Sequence, residues 1–212
     1  MNKSNKQDSM KQKFFVIKNR IQQINLHPQI EWDVINSEPD NTAWHLKQYV
    51  FPITLSIAVV TFVSYLLFAY NIYNYSFSYV CIKALASFCE SFFTLYVSSL
   101  IVNELCLKIG VETNYNKLFK LMAYSFTAFW AFSFVAGAMS NYQTLSSFLK
   151  FMGIVGVYPF FIGSDKLMNI PAQNKMKFVS ITLLVVLIVY VLINWSFGFA
   201  LRAAHIAEML SE

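Results

Sequence analysis

Five long apolar stretches alternate with short polar segments along the chain. They occupy residues 49–70, 79–107, 119–139, 145–163 and 178–201. A helix needs about 20 residues to cross the hydrocarbon core of a bilayer, and each stretch reaches or nearly reaches that length. Strands of a membrane barrel would alternate polar and apolar residues, and these stretches do not. The pattern predicts an all-α polytopic membrane protein built as a bundle of five transmembrane helices.

Composition supports this fold class and divides the chain into a charged N-terminal part and an apolar remainder. Apolar residues make up 57% of the 212 residues and charged residues only 13%, which is too few to cover a soluble domain. Twelve of the 27 charged side chains lie in the first 48 residues. We therefore expect a cytoplasmic N-terminal helical tail over 1–48, a transmembrane domain over 49–201 and a short C-terminal tail over 202–212.

The positions of lysine and arginine predict the orientation. Seven precede the first apolar stretch, none lies in 71–78 or 140–144, and the segments 108–118 and 164–177 are basic again. Cytoplasmic loops carry the excess of positive charge. The N-terminus is therefore predicted to be cytoplasmic and the C-terminus to lie on the opposite side. The net charge of +5 is assigned to this topology and to anionic lipid headgroups, and not to a nucleic acid partner.

The tail carries an apolar stripe at helical spacing. Phe14, Ile17, Ile21 and Ile24 share one face of a predicted helix, with basic residues around the other side. Such a helix can bind the anionic cytoplasmic leaflet, or it can pack on the protein's own bundle, and the sequence leaves both open. Pro28 ends this helix and is predicted to open a second short one.

No catalytic, metal-binding or cofactor-binding group is predicted. The chain has no nucleotide-binding or nucleophile motif, and no aspartate or histidine falls within the apolar stretches. His205 and Glu208 have the spacing of a partial metal site, but two ligands without a third favour an ordinary terminal helix. We therefore expect a protein that is not an enzyme.

Glu90 is the sharpest polar feature, because it lies near the middle of the second apolar stretch. An ionised side chain at that depth is costly and faces protein or water. Lys83, two turns earlier, shares its helical face and is the only local partner that the sequence shows. Glu90 and Lys83 form a candidate intramembrane polar site. A proton or ion relay and a buried carboxyl that only holds helices together are both possible, and we favour the second.

The fourth stretch is predicted to be irregular. It contains Gly153, Gly156 and Gly163, and Pro159 should kink the helix or end its regular part. In the third stretch Ser133 and Gly137 form a small-xxx-small pair, which permits close backbone approach.

Several of these residues resemble a known signature. Gly156, Tyr158, Gly163, Leu167, Met168 and Pro171 are similar to the GxY…G…LM..P pattern of the Yip family, the Ypt/Rab-interacting membrane proteins. In the tail, Pro28, Glu31, Trp32 and Ile35 resemble the P..EW..I element of bacterial members. Tyr124 and Ser125 resemble the family's YS..P element, but Ala128 stands where the family has proline, so the corresponding kink is expected to be missing.

The resemblance implies five spans, a cytoplasmic N-terminus and, for a bacterial-type member, location in the inner membrane. Two classes of function remain, and the span count and the absence of an internal repeat favour the first. One is a non-enzymatic scaffold or adaptor in membrane organisation or trafficking, with protein partners or a homo-oligomer and with anionic lipid bound by the tail. The other is a small transporter or channel with Glu90 lining its path. A second buried acidic group or a water-filled cavity near Glu90 would favour the transporter.

Overall fold

The computed structural model describes residues 3–69, 76–111, 114–140 and 142–209, with side chains from residue 15 to residue 203. Within these ranges all regular structure is helical. The elements are α1 (Lys3–Leu26), α2 (Pro28–Asn36), α3 (Thr42–Phe68), α4 (Phe77–Lys108), α5 (Tyr115–Ser125), α6 (Thr127–Ala138), α7 (Gln143–Met168) and α8 (Ala172–Met209). Helices α3, α4, α7 and α8 are long and apolar enough to cross a membrane. The bent pair α5–α6 makes a fifth when it is counted as one span, so the prediction of an all-α polytopic bundle is confirmed.

The tail forms two helices that pack on the bundle. Helix α1 ends at Leu26 and α2 begins at Pro28, as predicted from the fixed backbone angle of proline. Ile24 is fully buried, and Ile17 and Ile21 pack against the core. This part of the apolar stripe therefore faces the protein's own bundle. The side chain of Phe14 lies outside the described residues.

Helices α3 and α6 approach each other closely through Gly137. A Cβ atom at this position would lie 2.6 Å from the Thr61 hydroxyl oxygen. One turn further along, the Ser64 hydroxyl donates a hydrogen bond of 3.0 Å to the carbonyl oxygen of Ala138. The close approach expected from the Ser133 and Gly137 pair is thus observed, because glycine leaves room for the opposite backbone.

The third span bends, which corrects the expectation that Ala128 removes the kink. Helices α5 and α6 meet at 41° around Phe126 without a proline. The Ser125 hydroxyl donates to the Leu121 carbonyl at 2.8 Å, and the Thr127 hydroxyl donates to the Tyr124 carbonyl. Hydroxyl groups that hydrogen-bond to carbonyls three or four residues earlier bend helices. The bend therefore depends on these side chains.

Helix α7 is irregular where the glycines predicted it to be. A 3-10 segment, Gly153–Gly156, separates two α-helical parts, and Pro159 lies in the first turn of the second part. Helix α7 packs mainly on α6, α5 and α2, whereas α8 packs mainly on α4. As a result α7 and α8 stand apart along much of their length.

Candidate functional site

The signature residues of the tail and those of α7 lie together. Trp32, in α2, is completely buried, and its indole nitrogen donates a hydrogen bond of 2.8 Å to the carbonyl oxygen of Pro159. Pro28 and Ile35 are buried on the same side of α2. Helices α1 and α2 therefore close one end of the bundle, and we call them the tail cap.

Two glycines of α7 make this packing possible. A Cβ atom at Gly163 would lie 2.4 and 2.5 Å from two carbons of the Trp32 ring and 2.7 Å from a methyl carbon of Leu121. At Gly156 it would lie 2.6 Å from the carbonyl oxygen of Ser125. These distances are shorter than van der Waals contact, so a side chain at either position would displace the neighbouring helix.

Gly163→Ala should lower the free energy of unfolding by about 1–3 kcal/mol, the usual cost of overpacking a close-packed site. Gly198→Ala is the matched control, because no atom lies within 4 Å of a Cβ added there. Equilibrium unfolding in mixed micelles measures both changes. Equal stability of the two variants would contradict the packing described for Trp32.

The remaining signature residues differ in their surroundings. Glu31 forms an ion pair with Arg20 of α1, and Leu167 is buried while Met168 is half-buried. Tyr158 and Pro171 are exposed. Helix α7 ends at Met168, and Asn169 follows it with a left-handed backbone conformation (φ 48°). The structure thus brings the tail and α7 signatures together through Trp32 and Gly163, and not through Tyr158 or Pro171.

A polar cluster that the sequence did not reveal ties the tail cap to α5. Glu38 pairs with Arg20 and accepts a hydrogen bond of 2.6 Å from the Tyr124 hydroxyl. The ammonium group of Lys120, whose side chain is completely buried, pairs with Asp40 at 2.6 Å and donates to the Glu38 carbonyl oxygen at 2.9 Å. Nothing near Lys120 in the sequence marks it as a buried residue.

A cavity of about 730 Å³ lies between the helices of the bundle. Helices α3, α4, α5, α6, α7 and α8 all contribute to its wall. Its polar lining comprises Thr61, Tyr65, Lys83, Ser87, Glu90, Ser91, Thr94, Ser125, Ser133, Ser140, Gln143, Ser146, Ser147, Lys150, Thr182, Tyr190 and Asn194. This volume is within the range of ligand pockets, which is roughly 300–1,000 Å³.

The partner of Glu90 is Lys150, not Lys83 as the sequence suggested. The Lys150 ammonium lies 2.7 Å and 3.0 Å from the two carboxylate oxygens of Glu90 and joins α7 to α4. The Lys83 ammonium lies 5.9 Å from the ring centre of Tyr65, and both groups line the cavity. Lys150 was missed because it is 60 residues away from Glu90 and lies near the start of its own apolar stretch.

Three hydroxyl groups of the wall have no hydrogen-bond partner among the described residues. They belong to Thr94, Ser133 and Thr182, whose side chains are at most 3% exposed. A buried hydroxyl without a partner is destabilising by about 1–3 kcal/mol. These residues belong to α4, α6 and α8, and their hydroxyl oxygens are buried between the helices that form the wall.

Together these features define a helical membrane protein with a docked tail cap and a charged intramembrane cavity. The Yip1 domain family model matches residues 23–194, which include both the tail signature and the α7 signature. The chain belongs to this family of multi-pass membrane proteins. No curated protein and no solved structure matches it.

Proposed function

We propose that this protein is a non-enzymatic carrier or small transporter that binds a ligand in the intramembrane cavity, with Glu90 on the path. The observation that carries the proposal is the polar cavity around the Glu90–Lys150 ion pair. A bundle that needed only to be stable would fill this space with apolar side chains, because a close-packed interior leaves few voids larger than water. Charges at membrane depth are costly and are typical of substrate and ion pathways.

The arrangement of the ion pair fits this role. Glu90 and Lys150 are 10% and 30% exposed, so the carboxyl is nearly buried while the ammonium reaches the cavity. A charged or polar ligand can bind to either Glu90 or Lys150. The other member of the pair then still has an opposite charge nearby. The proposal includes the orientation predicted from the loop charges, with the tail cap on the cytoplasmic side of the bacterial inner membrane.

Glu90→Gln tests the proposal against a role in packing alone. We expect the variant to fail to rescue a strain that lacks the gene, while the protein still accumulates in the membrane. Glutamine keeps the shape of the side chain and removes its charge. Glu104→Gln is the control, because it makes the same change at an exposed position of the same helix. Complementation is scored beside membrane abundance.

A second variant covers the case in which Glu90→Gln fails to accumulate. In Glu90→Gln/Lys150→Met no charge of the pair is left unpaired, so this protein should accumulate and still lack function. Full function in either accumulated variant would refute the carrier role and leave the ion pair as a structural link between α4 and α7.

The second candidate is a scaffold or adaptor, and an exposed apolar surface on the tail cap favours it. Leu26, Ile30 and Val34 are 63%, 69% and 47% exposed, at a spacing of four residues, and Phe15 and Val16 are exposed on α1. With the neighbouring lysines, this surface suits an anionic membrane surface or a protein partner. Ile30→Glu in the same complementation assay discriminates: a scaffold loses function with this change and keeps it with Glu90→Gln.

A further inference from the structure

The charges that line the cavity are unequal. Among the residues that the structure describes, the charged side chains of the lining are Lys83, Lys150 and Glu90, so this part of the lining carries one excess positive charge. Glu90 is already occupied by Lys150, and among the described residues Lys83 forms no ion pair. A cation in a poorly solvated site is costly, and an anion that pairs with it lowers that cost. This excess positive charge therefore favours a ligand that carries a negatively charged group.

The depth of Lys83 indicates from where the anion comes. Lys83 is six residues from Phe77, the first residue of α4, which places it about 9 Å along the helix from that end at 1.5 Å per residue. Glu90 lies about 10 Å deeper by the same rise. An anion on Lys83 thus lies near the boundary of the hydrocarbon core, at the membrane side opposite the tail cap.

The cavity wall is open toward lipid between α7 and α8. Phe151 and Ile154 of α7 and Leu187 of α8 line the cavity, yet each is more than half exposed. They stand where the two helices diverge, because α7 packs on α6 while α8 packs on α4. An acyl chain can occupy such an apolar border while its polar headgroup reaches the lysine.

We propose that the cavity binds the anionic headgroup of a phospholipid, which enters sideways between α7 and α8 and pairs its phosphate with Lys83. This assignment rests on the proposed carrier function and names its ligand class. The chemistry that Lys83 recognises is a phosphate group on a headgroup with a net negative charge, which an anionic lipid or a soluble phosphate ester can supply. The open apolar border between α7 and α8 favours the lipid.

The test titrates the purified full chain in neutral detergent with phosphatidylglycerol and counts bound lipid by native mass spectrometry. Phosphatidylcholine with the same acyl chains and glycerol 3-phosphate are the comparison ligands. We expect phosphatidylglycerol to bind and raise the melting temperature, and neither comparison ligand to do so at the same concentration. Equal binding of phosphatidylcholine would overturn the requirement for an anion. Binding of glycerol 3-phosphate alone would overturn the lipid assignment.

Variants locate the site. Lys83→Gln should weaken phosphatidylglycerol binding roughly tenfold to hundredfold, the factor expected for one hydrogen bond to a charged group, and Lys83→Arg should retain it. Lys108→Gln removes the same charge from the exposed opposite end of α4 and should change binding less than about twofold. Unchanged affinity in Lys83→Gln would refute the site.

Lys83→Met keeps the proposal testable if Lys83→Gln does not fold. Methionine keeps an unbranched apolar stem without the charge, so phosphatidylglycerol should bind roughly tenfold to hundredfold more weakly to the folded protein. Unchanged binding in this variant would contradict the site at Lys83. Loss of function in Glu90→Gln together with no phosphatidylglycerol binding would remove the lipid assignment and retain the carrier function.

Discussion

Trp32→Ala is expected to lower the free energy of unfolding by about 3–5 kcal/mol, the range for truncating a buried tryptophan. The side chain is completely buried between α2 and α7, and its loss leaves the Pro159 carbonyl oxygen without its hydrogen bond and Gly163 beside a void. Equilibrium unfolding in mixed micelles gives the change in free energy. Limited proteolysis of the tail should accelerate in parallel, because the tail cap loses its anchor.

The matched control is Trp195→Ala. This tryptophan is 71% exposed on α8, and its replacement should change stability by less than about 0.5 kcal/mol, as for most surface positions. Similar stability of the two variants would show that the tail cap does not depend on Trp32. A loss confined to Trp32→Ala, with faster tail cleavage, would show that the two signatures of the chain act as one packing unit.

Lys150→Met should cost about 3 kcal/mol, because it leaves the Glu90 carboxylate nearly buried without its counter-charge. The lower end of the range for broken buried pairs applies, since the Lys150 side chain is 30% exposed. Adding Glu90→Gln to this variant should restore most of the lost stability, because no unpaired charge remains. The comparison uses the same unfolding measurement.

This double-mutant comparison isolates the ion pair from the rest of the cavity. Additive losses in the double variant would contradict direct coupling of Glu90 and Lys150. The carrier proposal requires that the double variant regains stability but not function. The effect of Glu90 on stability would then be separate from its effect on function.

Local features of the chain predicted the helices well. The apolar stretches marked the spans because crossing a bilayer requires a run of apolar residues of fixed length. Pro28 marked the start of α2 because its ring fixes the backbone angle and removes a donor that the first turn does not need. The glycines before Pro159 marked the irregular segment of α7 for a similar local reason. Each property depends on neighbours within one or two turns.

The prediction for the third span was wrong for an instructive reason. The absence of proline at Ala128 suggested an unkinked helix, yet α5 and α6 meet at 41°. The hydroxyls of Ser125 and Thr127 bond to carbonyls of the preceding turn, and Gly156 allows α7 to approach the Ser125 carbonyl. Hydroxyl groups and a neighbouring helix can thus produce a bend. No single residue type in the sequence predicts this combination.

By itself the sequence determined which segments span the membrane, where α1 ends and α2 begins, and which residues carry the family signatures. Only the tertiary structure decided that Trp32 meets Pro159 across 127 residues and that Glu90 pairs with Lys150 across 60. The physical reason is that helix formation depends on nearby residues, whereas partner choice depends on which helix faces pack together. The cavity is the extreme case, because it is the space that six packed helices leave between them.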